Sequence, residues 1–391
     1  MLINGKRALS YIVKIDDIKP IYGADNISLA YVMGWRVIVK NDEFNIGDKA
    51  VFFEIDSKVP SDDIRFEFLA KRKFAIKTMK LNKFGVISQG LLMPLSVFPE
   101  LSNAEVGTDV TDILKIKYYV AEDNERKASA PNKNAKYTSM VARHQNFSKK
   151  KWFKWMMKRE WGRKFLFFFL GKKKDSPRAF PSKFSYIHKT DEDRIENQPW
   201  RLESNEKWLA TEKLDGTSST YILERKPHKK FEFYVCSRNV RQQDEKQACY
   251  HDHNIYWDMA FKYNIEAHLR QYLSDNPNLT YVCIQGESVG SVQGNPLKLS
   301  EDDLYIFNFI TSMSGRLSTL AGKEIVEQWG MKWVPVLGIV DLPTTMDKMK
   351  ELATGKSAVN PSVLREGIVY RSLDGKQSFK NVSNEYLMRH S

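Results

Sequence analysis

Short apolar segments separated by turn residues run through the first third of the chain, and this pattern restricts the fold more than any other feature of the sequence. Gly, Asn and Asp recur in the connections, for example in 23–26, 45–48 and 82–85. Regular short strands joined by such turns are typical of a small β-barrel or β-sandwich. The predicted strands are Ala8–Ile15, Ser28–Val32, Trp35–Val39, Ala50–Ile55, Ile76–Lys80 and Gly90–Pro94.

About five or six strands in about 110 residues favour an OB-like barrel. Such barrels often bind nucleic acid, although a fold alone does not establish a function. Basic residues cluster on this domain, at 71–73 (Lys-Arg-Lys) and at Lys77, Lys80 and Lys83. Two interpretations of the cluster are open, a phosphate-facing surface and a solvated edge.

One segment carries most of the net charge. The formal net charge is +13, and residues 149–174 contain eleven Lys or Arg against one acid, Glu160, so that they account for ten of these charges. Trp and Phe are interleaved with the basic residues, as in 151–155 (Lys-Trp-Phe-Lys-Trp). Such a segment can bind nucleic acid, dock on an anionic membrane surface, or pack as a helix on the body of the protein. The sequence leaves these three interpretations open.

The remaining composition favours an intracellular protein. Cys236, Cys249 and Cys283 show no metal-ligand spacing, and we do not expect a disulfide framework. Residues 1–6 lack the apolar core of a signal peptide, and no apolar run is long enough to span a bilayer. We therefore expect a protein of a reducing compartment, without a transmembrane segment, that acts as a monomer.

From residue 178 onwards, strands and helices are mixed without strict alternation, which predicts an α+β domain with antiparallel sheets. The predicted domains are the barrel at 1–118, a linker with the basic aromatic insert at 119–177, and the α+β domain at 178–391. Thr190 or Asp191 is expected to cap a short helix. The predicted strands are 207–213, Thr217–Leu223, Phe231–Cys236, Thr280–Glu287, Leu304–Ile310, Trp333–Val340, Glu366–Arg371 and Gln377–Asn381, and the predicted helices are His251–Ser274, Leu317–Gly330 and Thr345–Thr354.

A lysine ends one of these strands, just before an Asp-Gly turn signal. Lys213 is followed by Leu214, Asp215 and Gly216. Because Gly permits positive φ, we predict a tight turn with Lys213 at its lip. Such a lysine can be a covalent nucleophile if burial or neighbouring cations deprotonate its amine. Taken alone, the tetrapeptide fits an ordinary hairpin with an exposed lysine better.

Further charged residues occur in or at the ends of apolar strands. Arg238 and Glu287 each end a strand, Glu366 opens one, and Lys380 lies within one. Charged residues are rarely buried in strands unless they are paired or functional. Cations neutralise phosphates and carboxylates hold hydrated Mg²⁺, so this set in one groove would suit a triphosphate with a divalent metal. The alternative for the two glutamates is a surface charge at a strand end.

Taken in order, these segments resemble the motifs of the covalent nucleotidyltransferases, which comprise ATP-dependent RNA and DNA ligases and mRNA capping enzymes. Lys213 and Glu287 are 74 residues apart, and Glu366 follows Glu287 after 79 residues. Lys380 follows 14 residues later. The six matching segments are 213–216 (Lys-Leu-Asp-Gly), 237–239 (Ser-Arg-Asn), 286–287 (Gly-Glu), 305–308 (Tyr-Ile-Phe-Asn), 366–369 (Glu-Gly-Ile-Val) and 378–380 (Ser-Phe-Lys).

Within the superfamily, the chain is most similar to the Naegleria-type RNA ligases, over most of 8–118 and 178–391. These resemble it in a run Lys-Thr-Asp-Glu-x-Arg, here at 189–194, and in an N-terminal OB domain. The resemblance implies an OB-like barrel followed by an ATP-grasp-like nucleotidyltransferase domain of antiparallel sheets with helices. Some relatives end in Lys-x-Lys, whereas here Lys376 precedes Lys380 by four residues, so the second cation of this motif is in doubt.

The resemblance implies an ATP-dependent ligase that uses Mg²⁺ or Mn²⁺ and acts on RNA ends, in a nicked duplex or in broken RNA. Lys213 attacks the α-phosphate of ATP and releases pyrophosphate. The AMP then moves to an RNA 5′-phosphate, and a 3′-OH attacks that phosphate and releases AMP. In-line geometry and charge neutralisation are the requirements of this chemistry. We expect the insert to tether the protein to RNA or to a partner protein.

Residue roles also follow from the resemblance. Three carboxylates contact the metal through water, and the cation lowers the pKa of the lysine. Phe307 stacks on adenine or, alternatively, is a plain core residue. The carboxylates are Asp215, Glu287 and Glu366. Glu212 and Gly216 adjoin the nucleotide, with Glu212 at the purine edge. Arg194 and Arg238 meet phosphates or the RNA end, and Lys380, with Lys376, clamps the α-phosphate. The alternatives are a helix-surface position for Arg194 and a turn position for Lys376.

Three rival functions differ in order or substrate. A DNA ligase usually carries its OB domain after the nucleotidyltransferase domain, and Lys380 is followed by only eleven residues here. The same order weakens the capping-enzyme interpretation, which predicts GTP in place of ATP. A catalytically inactive RNA-binding protein is the third rival, and the presence of Lys213, Glu287, Glu366 and Lys380 argues against it.

Overall fold

The computed structural model describes residues 1–3, 6–119, 178–184, 186–187, 191–242 and 254–390, with six single residues between 153 and 166. The chain forms two compact units, Met1–Tyr119 with Ala179–Ser391, and Val120–Arg178. In the second unit, the rings of Trp155 and Trp161 meet edge to face at 6.0 Å, and both are about half exposed. The rest of the prediction for the basic insert lies outside the described residues.

The N-terminal part of the first unit is a set of small antiparallel sheets. The sheet orders are β12-β7-β3, β4-β5-β6, β13-β8-β9, β10-β11 and β1-β2. The strands are β1 (Leu2–Ile3), β2 (Lys6–Arg7), β3 (Ser10–Lys14), β4 (Asp17–Pro20), β5 (Ile27–Val32), β6 (Trp35–Lys40), β7 (Lys49–Phe53), β8 (Ser57–Lys58), β9 (Ala75–Ile76), β10 (Met79–Leu81), β11 (Val86–Ser88), β12 (Leu91–Pro94) and β13 (Lys117–Tyr118).

Strands β3 and β7 are buried on both faces, which explains why their sequences are continuously apolar. Tyr11 and Phe52 face one core cluster, whereas Ile12 and Phe53 face the other. The prediction missed β1, β2, β4, β8, β11 and β13, which are two to four residues long. In the basic cluster, the side chains at 71–73 are exposed; a phosphate-facing surface there stays a prediction.

The C-terminal part contains two sheets. The larger includes β18-β17-β16-β19-β20-β21, with β22 parallel to β20, and the smaller is β23-β15-β24-β25, all antiparallel. The strands are β14 (Arg178–Ala179), β15 (Lys207–Lys213), β16 (Thr217–Lys226), β17 (Lys230–Ser237), β18 (Val240–Arg241), β19 (Tyr281–Val289), β20 (Asp303–Thr311), β21 (Gly315–Arg316), β22 (Lys332–Trp333), β23 (Val336–Asp341), β24 (Gly367–Ser372) and β25 (Ser378–Val382).

Helices pack on both sheets, and each sheet has one main hydrophobic core beneath its helices. Leu269 of α2 and Val326 of α3 pack on the larger sheet, and Met349 of α4 packs on the smaller one. The described helices are α1 (Ile255–Lys262), α2 (Ile265–Asp275), α3 (Thr319–Gln328), α4 (Met346–Ala353) and α5 (Asn384–His390), and the 3₁₀ segments are Ile64–Arg72, Leu95–Val97, Pro99–Leu101, Ser182–Phe184, Ile195–Asn197, Pro199–Glu203 and Pro227–Lys229. The α+β class and the antiparallel sheets are confirmed. Among the described residues, no helix is long and apolar enough to cross a membrane.

Three local predictions are wrong. The helix predicted over 251–274 is two helices, because Asn264 adopts a left-handed conformation with φ of 46° between α1 and α2; residues 251–253 lie outside the description. Asp191 caps no helix, since the next helical turn is the 3₁₀ segment Ile195–Asn197, with Arg194 before it; Thr190 lies outside the description. The strand predicted over 333–340 divides into β22 and β23, which belong to different sheets.

Candidate active site

A cavity of about 300 Å³ lies where the two C-terminal sheets meet. The small sheet contributes Lys213 and Lys380, and the large sheet contributes Glu287 and Phe307. Of the residues predicted for the site, Glu212, Lys213, Asp215, Gly216, Arg238, Glu287, Phe307 and Lys380 line this cavity.

The segment after Lys213 connects the two sheets and is not a hairpin. Lys213 ends β15 in the small sheet, and Thr217 begins β16 in the large one. Gly216 does not have the positive φ that we predicted for it. A Cβ at Gly216 would lie 2.3 Å from the carbonyl oxygen of Ser288, so only glycine permits this approach of β16 to β19. The predicted turn is therefore wrong, and the glycine is required by contact with the neighbouring strand.

The amine of Lys213 is held by a carboxylate from the neighbouring strand. Its Nζ donates to Oε2 of Glu366 at 2.5 Å, and both side chains are mostly buried. Glu366 directly precedes β24, which pairs with β15, so that sheet register brings the two together. Burial lowers the pKa of Lys213, but Glu366, Glu287 and Asp215 outweigh it and hold that pKa above its ordinary value. The lysine is thus an ammonium ion in this state.

The cavity has an excess of carboxylates around Lys213. Burial, with the charges of Glu366 and Asp215, raises the pKa of Glu287 to about 8 despite the nearby lysine. Oδ2 of Asp215 accepts a hydrogen bond of 2.6 Å from the hydroxyl of Tyr386. A divalent cation among these groups would relieve their repulsion, so the donor set fits one. No three His, Cys, Asp or Glu in the described ranges are grouped so that they could hold a metal ion.

Lys380 lies on β25, the edge strand of the small sheet, opposite Val369 of β24. Burial, with the charges of Arg194 and Lys213, lowers the pKa of Lys380 to about 7. Its backbone N–H donates to the carbonyl of Asp193 at 2.8 Å, and Arg194 forms an isolated parallel bridge with it. The strand therefore fixes a second cation in the cavity wall, one that an anionic ligand would hold in its charged form.

A second cavity, also of about 300 Å³, shares Lys380 and Arg238 with the first. Arg7 and Tyr118 line it from the N-terminal domain, and Arg194 lines it from the C-terminal domain. The guanidinium of Arg194 lies 5.8 Å from the centre of the buried Trp35 ring, and its Nη1 has no hydrogen-bond partner in the described part of the chain. Arg238 forms an ion pair with Asp191. The four cations of this cavity are balanced by four carboxylates, Asp56, Asp191, Glu192 and Asp193, and the unpartnered Nη1 of Arg194 suits a phosphate oxygen.

Glu212 and Phe307 lie at the other side of the first cavity. Oε2 of Glu212 accepts from the backbone N–H of Ala358 at 2.7 Å, whereas Oε1 is buried without a partner among the described residues. Burial raises the pKa of Glu212. Phe307 is half-buried. It has no pairing partner on β19, because Gln285 pairs with Asn308 and Gly286 pairs with Ile306. This β-bulge presents the ring of Phe307 to the cavity. A flat ring and an unsatisfied acceptor suit a base that carries an N–H donor.

The structure separates Lys376 from these residues and adds others. Lys376 is 80% exposed, pairs with Asp374 at 3.7 Å and does not line the first cavity. Arg371 does line it, 5.9 Å from the centre of the Phe307 ring, and Glu192 lies beside it. Arg371 was missing from the predicted site, although a charge inside an apolar strand is the signal that could have identified it.

Comparison with known proteins places the chain in a family. An OB-fold domain family matches residues 9–95, and the RNA ligase family matches residues 206–383. A search of curated protein sequences gives no match.

Among solved structures, an RNA ligase of Naegleria gruberi with pyrophosphate is 30% identical, with a TM-score of 0.66, and the alignment covers 98% of this chain and 99% of that one. A lysine-to-alanine variant of that enzyme with ATP and manganese is 29% identical over the same shares, with a TM-score of 0.67. A glutamate-to-alanine variant with AMP and manganese gives the same three values. Because a 30% identical RNA ligase is matched over 98% of this chain, this chain belongs to the RNA ligase family.

Proposed function

We propose that this protein is an ATP-dependent RNA ligase that joins a 3′-OH to a 5′-phosphate and that Lys213 is its nucleophile. The observation that carries the proposal is the position of Lys213, at the wall of a cavity that also holds Glu287, Phe307 and Lys380. A lysine nucleophile, phosphate-binding cations and a base-sized apolar wall are the groups that nucleotidyl transfer requires.

ATP enters with its adenine against the ring of Phe307. The exocyclic amine of adenine donates to the unpartnered Oε1 of Glu212, whose other oxygen is fixed by Ala358. GTP presents a carbonyl oxygen at the same ring position, so this carboxylate disfavours it. The α-phosphate lies between Lys213 and Lys380, and its negative charge raises the pKa of Lys380 and keeps that side chain a cation.

Lys213 must lose a proton before it can attack. In the free enzyme, the ion pair with Glu366 keeps it protonated. Asp215, Glu287 and Glu366 would hold Mg²⁺ or Mn²⁺ through its water molecules, and the cation would supply positive charge that lowers the pKa of Lys213. The neutral amine then attacks the α-phosphorus in line; an N–P bond forms, the bond to the bridging oxygen breaks, and pyrophosphate leaves.

The second and third steps transfer the AMP and seal the strand. An oxygen of the RNA 5′-phosphate attacks the phosphorus of the lysyl adenylate, and Lys213 leaves as the amine. A 3′-OH then attacks the activated 5′-phosphate, a phosphodiester forms, and AMP leaves with the former bridging oxygen. Arg194 and Arg238, in the second cavity, bind the 5′-phosphate and stabilise charge in these steps.

Labelling of the protein tests the proposal. The protein is incubated with α-³²P-labelled ATP or GTP and Mg²⁺ or Mn²⁺, then denatured and treated with acid. We expect acid-labile label from ATP in the wild type, none in Lys213→Ala, and normal labelling in Lys207→Ala, an exposed lysine on the same strand. Sealing of nicked RNA would follow. Label from GTP would favour the capping interpretation, and no label in folded protein would favour the inactive RNA-binding protein.

We also propose that the protein is an intracellular monomer. Its proposed domain limits are 1–118, 119–177 and 178–391. Two buried free thiols, Cys236 and Cys283, support a reducing compartment. We assign the enzyme to RNA ends in nicked duplexes or broken RNA, and the basic insert at 149–174 to a tether for RNA or a partner protein. Size-exclusion chromatography with light scattering tests the monomer directly.

A further inference from the structure

A third cavity, of about 380 Å³, adjoins the first at Glu192 and has no part in the chemistry described above. Its volume lies within the range of about 300–1,000 Å³ that is usual for small-molecule sites. Aromatic rings, an amide pair and two cationic side chains line it: Tyr186, Tyr281, Gln285, Asn308, Arg316 and Lys376.

One polar atom in the wall has no partner, and the hydrogen bonds around it fix its identity. Gln285 Nε2 donates to the carbonyl of Ile187 at 2.8 Å, and because a carbonyl only accepts, the Gln285 amide has one orientation. Gln285 Oε1 therefore accepts from Asn308 Nδ2, at 2.9 Å. Oδ1 of Asn308 is left as a buried acceptor without a partner in the described part of the chain, on a residue that is 6% exposed. A buried acceptor of this kind costs free energy until a donor reaches it.

An aromatic surface stands beside this acceptor. The rings of Tyr186 and Tyr281 lie 5.8 Å apart, and Tyr186 is 62% exposed although it contacts a core residue. An exposed ring next to a polar pocket is the usual platform on which proteins that bind single-stranded nucleic acid stack a base.

Positive charge completes the rim. Arg316 is fixed by hydrogen bonds to the carbonyl of Gly375, at 2.6 Å, and to Ser378 Oγ, at 3.2 Å, and its Nη1 pairs with Glu192 at 3.5 Å. Lys376 extends into solvent beside it. The unpartnered acceptor, the exposed aromatic ring and the basic side chains would all be satisfied by a flat ring that carries an N–H donor and a phosphate. A nucleotide has these groups.

We propose that this cavity binds one unpaired nucleotide of the RNA substrate, next to the reaction centre. Its base stacks on Tyr186 and donates an N–H to Asn308 Oδ1, and its phosphate meets Lys376 and Arg316. Every RNA base carries at least one N–H donor, so the cavity accepts all four. The assignment of the nucleotide to RNA rests on the proposed ligase function.

Kinetic variants test the stacking. Sealing of a pre-adenylylated RNA with single-stranded ends is measured for Tyr186→Ala, Tyr186→Phe and, as a matched exposed tyrosine, Tyr22→Ala. Loss of one base–aromatic stack corresponds to about 5- to 150-fold weaker RNA binding. We expect a rise of that size in KM for RNA in Tyr186→Ala, near-normal values in the other two, and normal self-adenylylation in all three. Lys376→Ala should lower the slope of log K against log salt by about one.

Crosslinking gives a readout that requires no catalysis. A broken RNA with single-stranded ends carries 4-thiouridine either at the 3′-OH terminus or at the 5′-phosphate nucleotide, and crosslinked peptides are identified by mass spectrometry. A crosslink to the peptide that contains Tyr186 supports the proposal, and the arm that gives it identifies the strand. No such crosslink in either arm, or a Tyr186→Ala protein that seals with wild-type KM, would overturn it. Failure of ATP labelling would refute the proposed function separately and leave the crosslinking result to decide on the cavity.

Discussion

Replacement of Tyr386 by phenylalanine should weaken the response of the first step to the divalent cation. The Tyr386 hydroxyl donates to Asp215 Oδ2 at 2.6 Å, and burial together with this carboxylate raises the pKa of Tyr386, so the hydroxyl keeps its proton at any physiological pH. Phenylalanine keeps the ring, which stacks on His390 at 4.2 Å between ring centres. The variant therefore removes one hydrogen bond and little else.

The size of the effect follows from the charge of the acceptor. A hydrogen bond to a charged group contributes about 1.5–3 kcal/mol, which corresponds to about 10- to 150-fold in an equilibrium constant. Outer partners of groups that hold a metal typically change metal affinity or activity by about 10- to 100-fold. We therefore expect the Mn²⁺ concentration for half-maximal self-adenylylation to rise by about 10- to 100-fold in Tyr386→Phe, with the maximal rate less affected.

Self-adenylylation with labelled ATP over a series of Mn²⁺ concentrations measures this. The matched control is Tyr234→Phe, because Tyr234 is also buried and donates to a carboxylate, Glu224, at 2.9 Å, outside the first cavity. Wild-type cation dependence in Tyr386→Phe would refute the reasoning, as would an equal rise in the Tyr234→Phe control.

Four further outcomes are expected. Because Glu287 has a pKa of about 8, Mn²⁺ binding should release a proton below that pH. The affinity for Mn²⁺ should therefore rise by up to tenfold per pH unit between pH 6 and 8. The electron paramagnetic resonance of free Mn²⁺ measures this affinity. Because the pKa of Lys380 is about 7 and a phosphate raises it, metal-free ATP binding should take up a proton near pH 8, seen as a dependence of calorimetric enthalpy on buffer ionisation. The pair of Lys350 and Glu196 is buried, at 2.7 Å, so Lys350→Met should lower the free energy of unfolding in urea by about 3–5 kcal/mol, and the double variant with Glu196→Gln should recover much of the loss. Deletion of 149–174 should leave self-adenylylation intact and weaken RNA sealing at raised salt.

Each of these outcomes has a contrary result. Mn²⁺ affinity that does not change between pH 6 and 8 contradicts the assignment to Glu287, and equal calorimetric enthalpies in all buffers contradict the one to Lys380. A double variant no more stable than Lys350→Met would show that the lost stability did not come from an unpaired buried charge. Unchanged salt sensitivity after deletion of the insert would reject the RNA tether.

The sequence predicted the positions of charged residues on strands better than the connections between strands. Lys213, Glu287 and Lys380 are recognisable because each interrupts or ends an apolar run, and the meeting of the two sheets then brings them to one cavity. The Asp-Gly sequence is the same in a hairpin and in a crossing between sheets. Only the distance from Gly216 to Ser288, 72 residues away in the chain, distinguishes the two.

Partners distant in sequence account for the remaining differences. Tyr386 bonds a carboxylate 171 residues away, and neither residue type signals the other. The break between α1 and α2 depends on the left-handed Asn264, a conformation that asparagine adopts more often than most residues but that composition does not require. Strand Asp17–Pro20 is polar and largely exposed, so it lacks the apolar signal on which strand prediction depends.

The ion pair between Lys213 and Glu366 also affects the chemical lifetime of the free protein. A neutral lysine amine condenses with aldehydes and reacts with carbon dioxide and other electrophiles, whereas an ammonium ion does not, because its lone pair is bonded to a proton. With Glu366 at 2.5 Å, the resting enzyme holds its nucleophile in the unreactive form. The same contact that must be overcome at each turnover therefore protects the lysine against glycation and carbamylation between turnovers.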